Sequence, residues 1–321
     1  MRRIAVLTSG GDAPGMNAAI RAVVRCGIAQ GMEVYGVERG YEGLIKGLIN
    51  KMDSRSVSDT IHRGGTILKT ARCPEFNTKE GREKAYEVLR AYNIEGLIVI
   101  GGDGSFRGIK DLHDDFGFPC VGIPGTIDND LACTDYTLGF DTAVNTVLNA
   151  INNIRDTMTS HDRACIIEVM GRHCGDIALY SGIAGGAEAM LVPEIPFDLD
   201  ALCNNMKKNI IKGKVSDIII LAEGVCSAAE LKCKIEDKVP VSIRTVKLGY
   251  IQRGGTPTMA DRLLAARCGY RAVELIKNGN LGARVVGIRE NKIIDMDITE
   301  ALNMPRIFDK DLYKIATLLA Q

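Results

Sequence analysis

Two stretches of similar design, Leu97–Phe106 (LIVIGGDGSF) and Val121–Asp130 (VGIPGTIDND), decide the fold prediction for this chain. Each is an apolar run of strand length that ends in a glycine-containing turn, and each turn carries aspartate. Short apolar runs bounded by glycine are typical of buried strands in parallel sheets. Because a plain anion-binding loop has no use for carboxylates, the question is which ligand needs glycine amides and aspartates together.

The rest of the chain repeats the pattern of a strand followed by a helix. Apolar runs predict strands at Arg3–Thr8, Glu33–Val37, Leu97–Ile100, Cys120–Ile123, Cys165–Met170, Ala189–Val192, Ile218–Ala222 and Thr245–Gly249. Helical periodicity predicts helices that include Met16–Gln30, Asp198–Lys212 and Met259–Lys277. This alternation predicts an α/β fold in which a mainly parallel sheet is flanked by helices. A length of 321 residues favours two such domains over one.

The composition is that of a globular protein, with 46% hydrophobic and 25% charged residues. Forty basic and forty acidic residues balance, which argues against nucleic acid or an anionic membrane surface as partner. The longest apolar runs are far shorter than the roughly 20 residues of a membrane span. Ten cysteines without a CxxC pair are typical of reduced thiols, so we expect a cytoplasmic location.

The GGDGS turn suggests a metal-bound polyphosphate. Gly102 and Gly104 allow close approach of phosphates to the backbone, whereas Asp103 would repel them unless a cation lies between. Mg²⁺ binds through one or two carboxylates together with substrate phosphates. An aspartate in an ordinary turn is the weaker alternative, and for the loop at Gly10 and Gly11 a tight turn and a phosphate site are equally favoured.

The second turn, GTIDND, places Asp128 two residues from Asp130. Two close carboxylates are costly to ionise together, so we expect different roles for them. An aspartate that receives the proton of an attacking hydroxyl is a recurring part of phosphoryl transfer, and Asp128 is the candidate. Five arginines beside small residues could bind phosphate: each one alone is more readily a surface ion-pair residue, but several of them at the ends of strand or glycine motifs favour phosphate binding. They are Arg72, Arg163, Arg172, Arg244 and Arg253.

Together the motifs TSGGDAPGMNAAIR, RGGTILKTARCPEF, GGDGS, PGTIDND, EVMGRHCGD, ILAEGV and IQRGG resemble the bacterial ATP-dependent 6-phosphofructokinase family, from Arg3 to about Ile298. The resemblance implies two Rossmann-like domains, a homotetramer, and transfer of the ATP γ-phosphoryl group to the 1-hydroxyl of fructose 6-phosphate. The implied ATP domain is 1–139 plus about 257–303. The implied sugar-phosphate domain is 140–256 plus about 304–321.

The resemblance also implies roles for single residues. The implied ATP site consists of Gly11, Tyr41, Arg72, Cys73, Gly102, Asp103, Gly104 and Ser105, with Asp103 holding Mg²⁺. The implied catalytic residues are Asp128 as general base, Thr126, Arg172 and Arg72. Fructose 6-phosphate would contact Thr126, Ile127, Asp128, Arg163, Met170, Gly171, Arg172, Glu223, Arg244, Tyr250, Ile251, Gln252 and Arg253. In the family, the residues matching Arg163 and Arg244 reach in from a neighbouring subunit.

The resemblance further implies an effector site between subunits, where ADP or phosphoenolpyruvate binds. Its residues would be Arg21, Arg25, Arg155, Gly186, Ala187, Glu188, Lys212 and Lys214. Lys212 stands where the family usually has arginine, which weakens the match because lysine lacks the planar fork.

Two departures bear on the substrates. Pyrophosphate-using relatives carry Asp and Lys where this chain has Gly104 and Gly125, and larger side chains there would crowd the nucleotide, so ATP is the expected donor. Tyr250 replaces a family histidine that contacts the 6-phosphate, and it either donates a hydrogen bond to that phosphate or merely fills space. The alternatives are a relative that uses pyrophosphate or another sugar phosphate, and a non-catalytic sugar-phosphate-binding subunit.

Overall fold

A computed structural model describes residues 2–161, 163–214, 216–279 and 282–320. The chain forms two compact units. The first contains the residues up to Ile127, then Leu131–Thr142 and Arg253–Arg306; the second contains Asp128–Asp130, Ala143–Gln252 and the residues from Ile307. The predicted division at 139, 256 and 303 differs from these limits by a few residues and did not include the short segment Asp128–Asp130. The functions assigned to the two predicted domains stay predictions.

Strands and helices alternate along most of the chain. The strands are β1 Arg3–Thr8, β2 Glu33–Val37, β3 Ile49–Met52, β4 Gly96–Gly101, β5 Cys120–Pro124, β6 Ala164–Val169, β7 Ala189–Leu191, β8 Ile218–Ala222, β9 Ile243–Lys247, β10 Ala283–Arg289 and β11 Lys292–Asp297. The α-helices are α1 Met16–Ala29, α2 Gly40–Lys46, α3 Lys79–Ala91, α4 Asp103–Phe116, α5 Phe140–Thr159, α6 Asp176–Ala184, α7 Leu199–Ile211, α8 Ala228–Glu236, α9 Met259–Lys277, α10 Ile298–Asn303 and α11 Lys310–Leu319. Short 3-10 helices occupy Pro74–Asn77 and Gly249–Arg253.

The first unit is built on a seven-stranded sheet in the order β11-β10-β5-β4-β1-β2-β3. The five inner strands are parallel, whereas β3 and β11 pair antiparallel at the two edges. All six residues of β4 are buried, as expected for a strand covered on both faces. Helices α1 and α9 approach closely because Gly269 has no side chain: a Cβ there would lie 2.6 Å from the Cβ of Ala22.

The second unit contains a four-stranded parallel sheet in the order β7-β8-β6-β9. Every residue of β6 and of β8 is buried. β8 is apolar throughout, as expected for a strand covered on both faces, whereas β6 contains one charged residue, Glu168, whose Oε1 lies 2.6 Å from Nζ of Lys247. A core cluster that includes Ile166, Ile219 and Leu231 packs α7 and α8 against this sheet. Both sheets therefore present the carboxyl ends of parallel strands, where open α/β sheets place their ligands.

The predicted α/β class with mainly parallel sheets is confirmed. The bounds of β1, β2, β8 and α9 are those predicted, but β9 lies two residues earlier than Thr245–Gly249 because the chain turns at Gly249, whose φ is 54°. The hairpin of β10 and β11 was not predicted. Its turn residues Glu290 and Asn291 both have positive φ, yet they lack the Asn-Gly pair that announces such turns in a sequence.

Within the part of the chain that the structure describes, no helix combines the length and the apolar character that a membrane crossing requires.

Candidate active site

The GGDGS turn lies where β4 ends and α4 begins. Gly102 has extended backbone angles and α4 starts at Asp103, so the first amides of the helix point toward the turn. A Cβ on Gly101 would lie 2.6 Å from the carbonyl oxygen of Ser9, which shows how tightly the turn packs on the loop after β1. A Cβ on Gly104 would meet nothing within 4 Å. The turn is thus packed on one side and open on the other, at the positive end of a helix dipole.

Asp103 is the first residue of α4, and its side chain is 45% exposed. Arg107, one turn further along the helix, donates to it from Nε and from Nη2, at 2.8 Å and 3.2 Å. An exposed carboxylate at the start of a helix is a suitable ligand for a cation that also binds phosphates. The residues present therefore fit the predicted Mg²⁺ site.

The loop after β1 receives an arginine from a distant part of the sequence. A Cβ on Gly11 would collide with the guanidinium of Arg253, so this guanidinium occupies the space that a side chain at position 11 would take. On the same loop, the hydroxyl of Thr70 donates to the carbonyl oxygen of Gly10 at 2.9 Å. Sequence analysis assigned Gly11 to ATP and Arg253 to the sugar phosphate, and the structure brings these two residues together within the first unit.

Tyr41 supports the start of α4 from within the core. Its ring is buried and stacks on Phe76 with centroids 3.9 Å apart, and its hydroxyl donates to the carbonyl oxygen of Ser105 at 2.6 Å. Burial raises the pKa of this hydroxyl well above its usual value. Cys73 packs partly buried against the same core, while Arg72 is exposed. The contact of Tyr41 with ATP stays a prediction.

In the second unit Asp128 is buried, with only 2% of its surface exposed. Arg172 places Nε 3.3 Å from Oδ2 of Asp128, and its own backbone N–H donates to Glu223 at 3.1 Å. The turn after β6 allows this, because Gly171 and Arg172 both have positive φ. Three residues predicted from separate motifs, Asp128, Arg172 and Glu223, therefore meet in one place.

The loop that carries Asp128 is held by residues that the sequence analysis did not single out. The side-chain amide of Asn129, which has a φ of 53°, donates to Asp176 at 2.9 Å at the start of α6. On the neighbouring turn, the backbone N–H of Gly175 donates to Glu194 at 2.9 Å. The available signal was the end of the motif EVMGRHCGD, whose last residue is Asp176.

Comparisons with known proteins agree with this arrangement of motifs. A family model described as phosphofructokinase matches residues 3–276. The ATP-dependent 6-phosphofructokinase of Clostridium botulinum is 60% identical to this chain over 321 residues, which is 100% of both chains. The chain belongs to the phosphofructokinase family.

Further relatives support the same family. The ATP-dependent 6-phosphofructokinase of Clostridium acetobutylicum is 59% identical over 100% of both chains. The solved structure of phosphofructokinase from Saccharomyces cerevisiae is 36% identical with a TM-score of 0.91, and it covers 99% of this chain and 47% of the yeast chain. The present chain thus spans about half the length of the yeast chain. The predicted family and the predicted enzyme class, an ATP-dependent phosphofructokinase, are confirmed.

The residues that the phosphofructokinase resemblance assigned to an effector fall on both units. Arg21 and Arg25 lie one turn apart on α1, in the first unit. In the second unit Oε1 of Glu188 lies 3.6 Å from Nη1 of Arg155 and 2.8 Å from Nζ of Lys214. The guanidinium of Arg155 also donates to the carbonyl oxygens of Gly185 and Gly186, at 2.8 Å and 2.7 Å. Ala187, next to Glu188 in the sequence, is buried, whereas Lys212 is exposed. Glu188 and Lys212 both line a cavity of about 440 Å³ in this unit.

The residues assigned to the sugar phosphate differ widely in exposure. Tyr250 is 84% exposed and Ile251 is 57% exposed, so Tyr250 does not fill space within its own chain. Arg163 is half-buried and Arg244 is exposed. Met170 donates its backbone N–H to the buried side chain of Gln252 at 3.2 Å. In the first unit, Ile127 is buried and the carbonyl oxygen of Thr126 accepts from Thr137 at 2.7 Å.

Gly104 and Gly125, the two glycines expected to favour ATP over pyrophosphate as donor, have different surroundings. Gly104 faces open space, which is consistent with room for a nucleotide. A Cβ on Gly125 would instead lie 3.0 Å from a methyl group of Ile100 and 3.2 Å from that of Met16. These contacts describe only the position of a Cβ, so crowding of the nucleotide by a longer side chain at Gly125 stays a prediction.

Proposed function

We propose that this chain transfers the γ-phosphoryl group of ATP to the 1-hydroxyl of fructose 6-phosphate, forming fructose 1,6-bisphosphate and ADP. The observation that carries the proposal is the meeting of Asp128, Arg172 and Glu223, because a protein that only binds a sugar phosphate needs no buried carboxylate as base. The names of relatives that are 60% identical over the full chain support the donor and the acceptor.

The nucleotide side of the reaction rests on the start of α4. The amides at Gly102–Ser105 bind phosphate oxygens, and the open space beside Gly104 admits the nucleotide. Asp103 holds Mg²⁺, and this ion, when bound, neutralises charge on the transferring and leaving phosphates. Gly11, Tyr41, Arg72 and Cys73 complete this side of the site, Tyr41 by supporting the carbonyl of Ser105.

Asp128 accepts the proton of the 1-hydroxyl while that oxygen forms its bond to the γ-phosphorus. The bond between this phosphorus and the bridging oxygen breaks, and ADP leaves with the electron pair. The guanidinium of Arg172, 3.3 Å from Asp128, stabilises the charged carboxylate before the substrates bind. Because 63% of the Arg172 side chain is exposed, it can turn to the transferring phosphoryl group, which Thr126 also contacts.

The remaining assignments are part of the same proposal. Arg163, Arg244, Arg253 and Tyr250 bind the 6-phosphate, with Arg163 and Arg244 acting on a neighbouring subunit of a homotetramer. Met170, Gly171, Glu223, Ile251 and Gln252 line the sugar. ADP or phosphoenolpyruvate binds at a site between neighbouring subunits, to which the cluster of Arg155, Glu188 and Lys214 and also Arg21 and Arg25 contribute. The enzyme works in the cytoplasm.

A coupled assay for fructose 1,6-bisphosphate tests the proposal, with ATP and pyrophosphate compared as donors and several sugar phosphates as acceptors. We expect turnover with ATP and fructose 6-phosphate that depends on Mg²⁺. Faster turnover with pyrophosphate, or with another sugar phosphate, would overturn the assigned substrates. Absence of phosphoryl transfer from either donor, in a protein that still binds fructose 6-phosphate, would favour the non-catalytic subunit.

A further inference from the structure

Both oxygens of the proposed metal ligand are already occupied by an arginine. Nε of Arg107 donates to Oδ2 of Asp103 at 2.8 Å, and Nη2 donates to Oδ1 at 3.2 Å. This forked contact is the geometry in which a guanidinium binds a carboxylate most strongly. Each oxygen keeps a second lone pair, but a divalent cation bound there would lie close to the guanidinium and repel it, so the cation and Arg107 compete for Asp103.

Arg107 is free to leave. Its side chain is 61% exposed, and within the described residues both of its hydrogen bonds go to Asp103. A guanidinium stays protonated in proteins, so Arg107 keeps its charge whether or not the pair is formed. An exposed pair at i and i+4 on a helix is weak enough for a divalent ion with a bound polyphosphate to break.

We propose that Arg107 is the built-in counter-ion of Asp103, which it neutralises until the metal replaces it. This inference rests on the proposed function, since it assumes that Asp103 holds Mg²⁺. In the metal-free state, a bare carboxylate at the mouth of the phosphate site would repel an incoming polyphosphate. With Arg107 in place, this repulsion is reduced and metal-free nucleotide binds better. The cost is that Mg²⁺ must compete with the guanidinium.

The same helix provides a matched control. Lys110 also pairs with an aspartate one turn away, Asp114, but this pair lies further from the GGDGS turn along α4. Neutralising Lys110 therefore removes one positive charge and one exposed ion pair from α4 without touching Asp103. An effect specific to the Asp103 pair must appear with Arg107→Gln and not with Lys110→Gln.

The experiment measures binding rather than turnover. Isothermal titration calorimetry gives the Kd of a non-hydrolysable ATP analogue with excess chelator and with saturating Mg²⁺, and the ratio of the two values is the gain from the metal. We expect this gain to be about twofold to threefold larger in Arg107→Gln than in the wild type, which is the size expected for an exposed ion pair. Arg107→Lys, which keeps the charge without the fork, should fall between them, and Lys110→Gln should match the wild type.

The outcomes separate this inference from the proposed function. If Asp103→Asn reduces the gain but Arg107→Gln leaves it at the wild-type value, the inference about Arg107 is wrong and the metal site stands. If Asp103→Asn also shows the wild-type gain, the proposed metal ligand is wrong and the inference fails with it. If Lys110→Gln increases the gain from the metal as much as Arg107→Gln does, the effect comes from the net charge of α4. That result also overturns the specific role of Arg107.

Discussion

The turns after β4 and after β5 look alike in sequence but differ in what they do with their aspartates. Asp103 follows β4 at the start of a helix, with an exposed side chain and a flexible arginine as partner. Asp128 follows β5 and is buried, with Arg172 beside it. The difference teaches that an apolar strand, a glycine and an aspartate define a location and leave the chemistry of the carboxylate open.

Exposure suits the role proposed for each residue. A metal ligand has to exchange partners with solvent and with each new nucleotide, so an exposed carboxylate at a helix start is appropriate. A general base has to be positioned against one hydroxyl with water excluded, which burial achieves. Substitution of each aspartate should therefore change a different measurable quantity.

Removing the buried carboxylate should have the largest effect on turnover. Asp128→Ser removes the group proposed to accept the proton, so we expect kcat to fall by roughly 10²–10⁴ with fructose 6-phosphate binding nearly unchanged. Steady-state kinetics and a direct binding titration measure the two quantities. Turnover within a few-fold of the wild type, with chemistry still limiting the rate, would exclude Asp128 as the base. The proposed difference in role between the buried and the exposed aspartate would then no longer hold.

Removing the exposed carboxylate should act through the metal. In Asp103→Ala we expect activity at moderate Mg²⁺ to fall by about 100-fold, because a direct ligand contributes at least as much as the outer partners of metal sites. Excess ATP alone should not restore this activity, while excess Mg²⁺ should restore part of it. A titration of activity against Mg²⁺ checks this, and a curve identical to that of the wild type would contradict the metal role.

A third aspartate extends the comparison: Asp261 is as buried as Asp128, and three hydrogen-bond donors are known for its carboxylate. It accepts from the backbone N–H groups of Gly139 and Thr142 and from the hydroxyl of Thr142. Burial raises the pKa of Asp261 to about 6. The folded protein therefore holds this proton more tightly than the unfolded chain, so the stability contributed by the protonated form is lost as pH rises from about 4 to about 6.

We expect Asp261→Asn to abolish that part of the pH dependence. The unfolding free energy of the wild type minus that of the variant should fall by up to about 3 kcal/mol between pH 4 and pH 6.5 and stay constant at higher pH. Denaturation monitored at several pH values measures it, with the exposed Asp114→Asn as control. A difference that grows with pH would mean that the donors outweigh burial and that the pKa of Asp261 is lowered instead.

The smallest effect is expected at the exposed Tyr250. Because this side chain is 84% exposed, removing its hydroxyl should not affect stability and should act only on a ligand. We expect Tyr250→Phe to raise KM for fructose 6-phosphate several-fold, which corresponds to a loss of about 1 kcal/mol of binding free energy, with kcat little changed. Tyr250→His should lower KM and make it depend on pH between 6 and 8. Wild-type kinetics in the phenylalanine variant would show that the hydroxyl does not contact the phosphate.

Local sequence by itself determined the α/β class, most of the parallel strands and the position of the GGDGS turn at a helix start. These features follow from apolar runs, helical periodicity and glycine, which act over a few neighbouring residues. The same reasoning missed the edge strands β3 and β11, which pair antiparallel and are less apolar than the inner strands. It also missed the inner strand β10, because the turn at Glu290 and Asn291 that joins β10 to β11 has no glycine.

Only the tertiary structure decided which functional residues meet and how exposed they are. Asp128 is 44 residues from Arg172 and 95 from Glu223 in the sequence, and no local pattern states that Arg172 contacts both carboxylates. Gly11 and Arg253 are separated by 242 residues, yet the guanidinium lies where a side chain at position 11 would be. Burial of Asp128 and exposure of Asp103 depend on how much protein covers each turn. Packing between distant segments sets that coverage, and residue type does not.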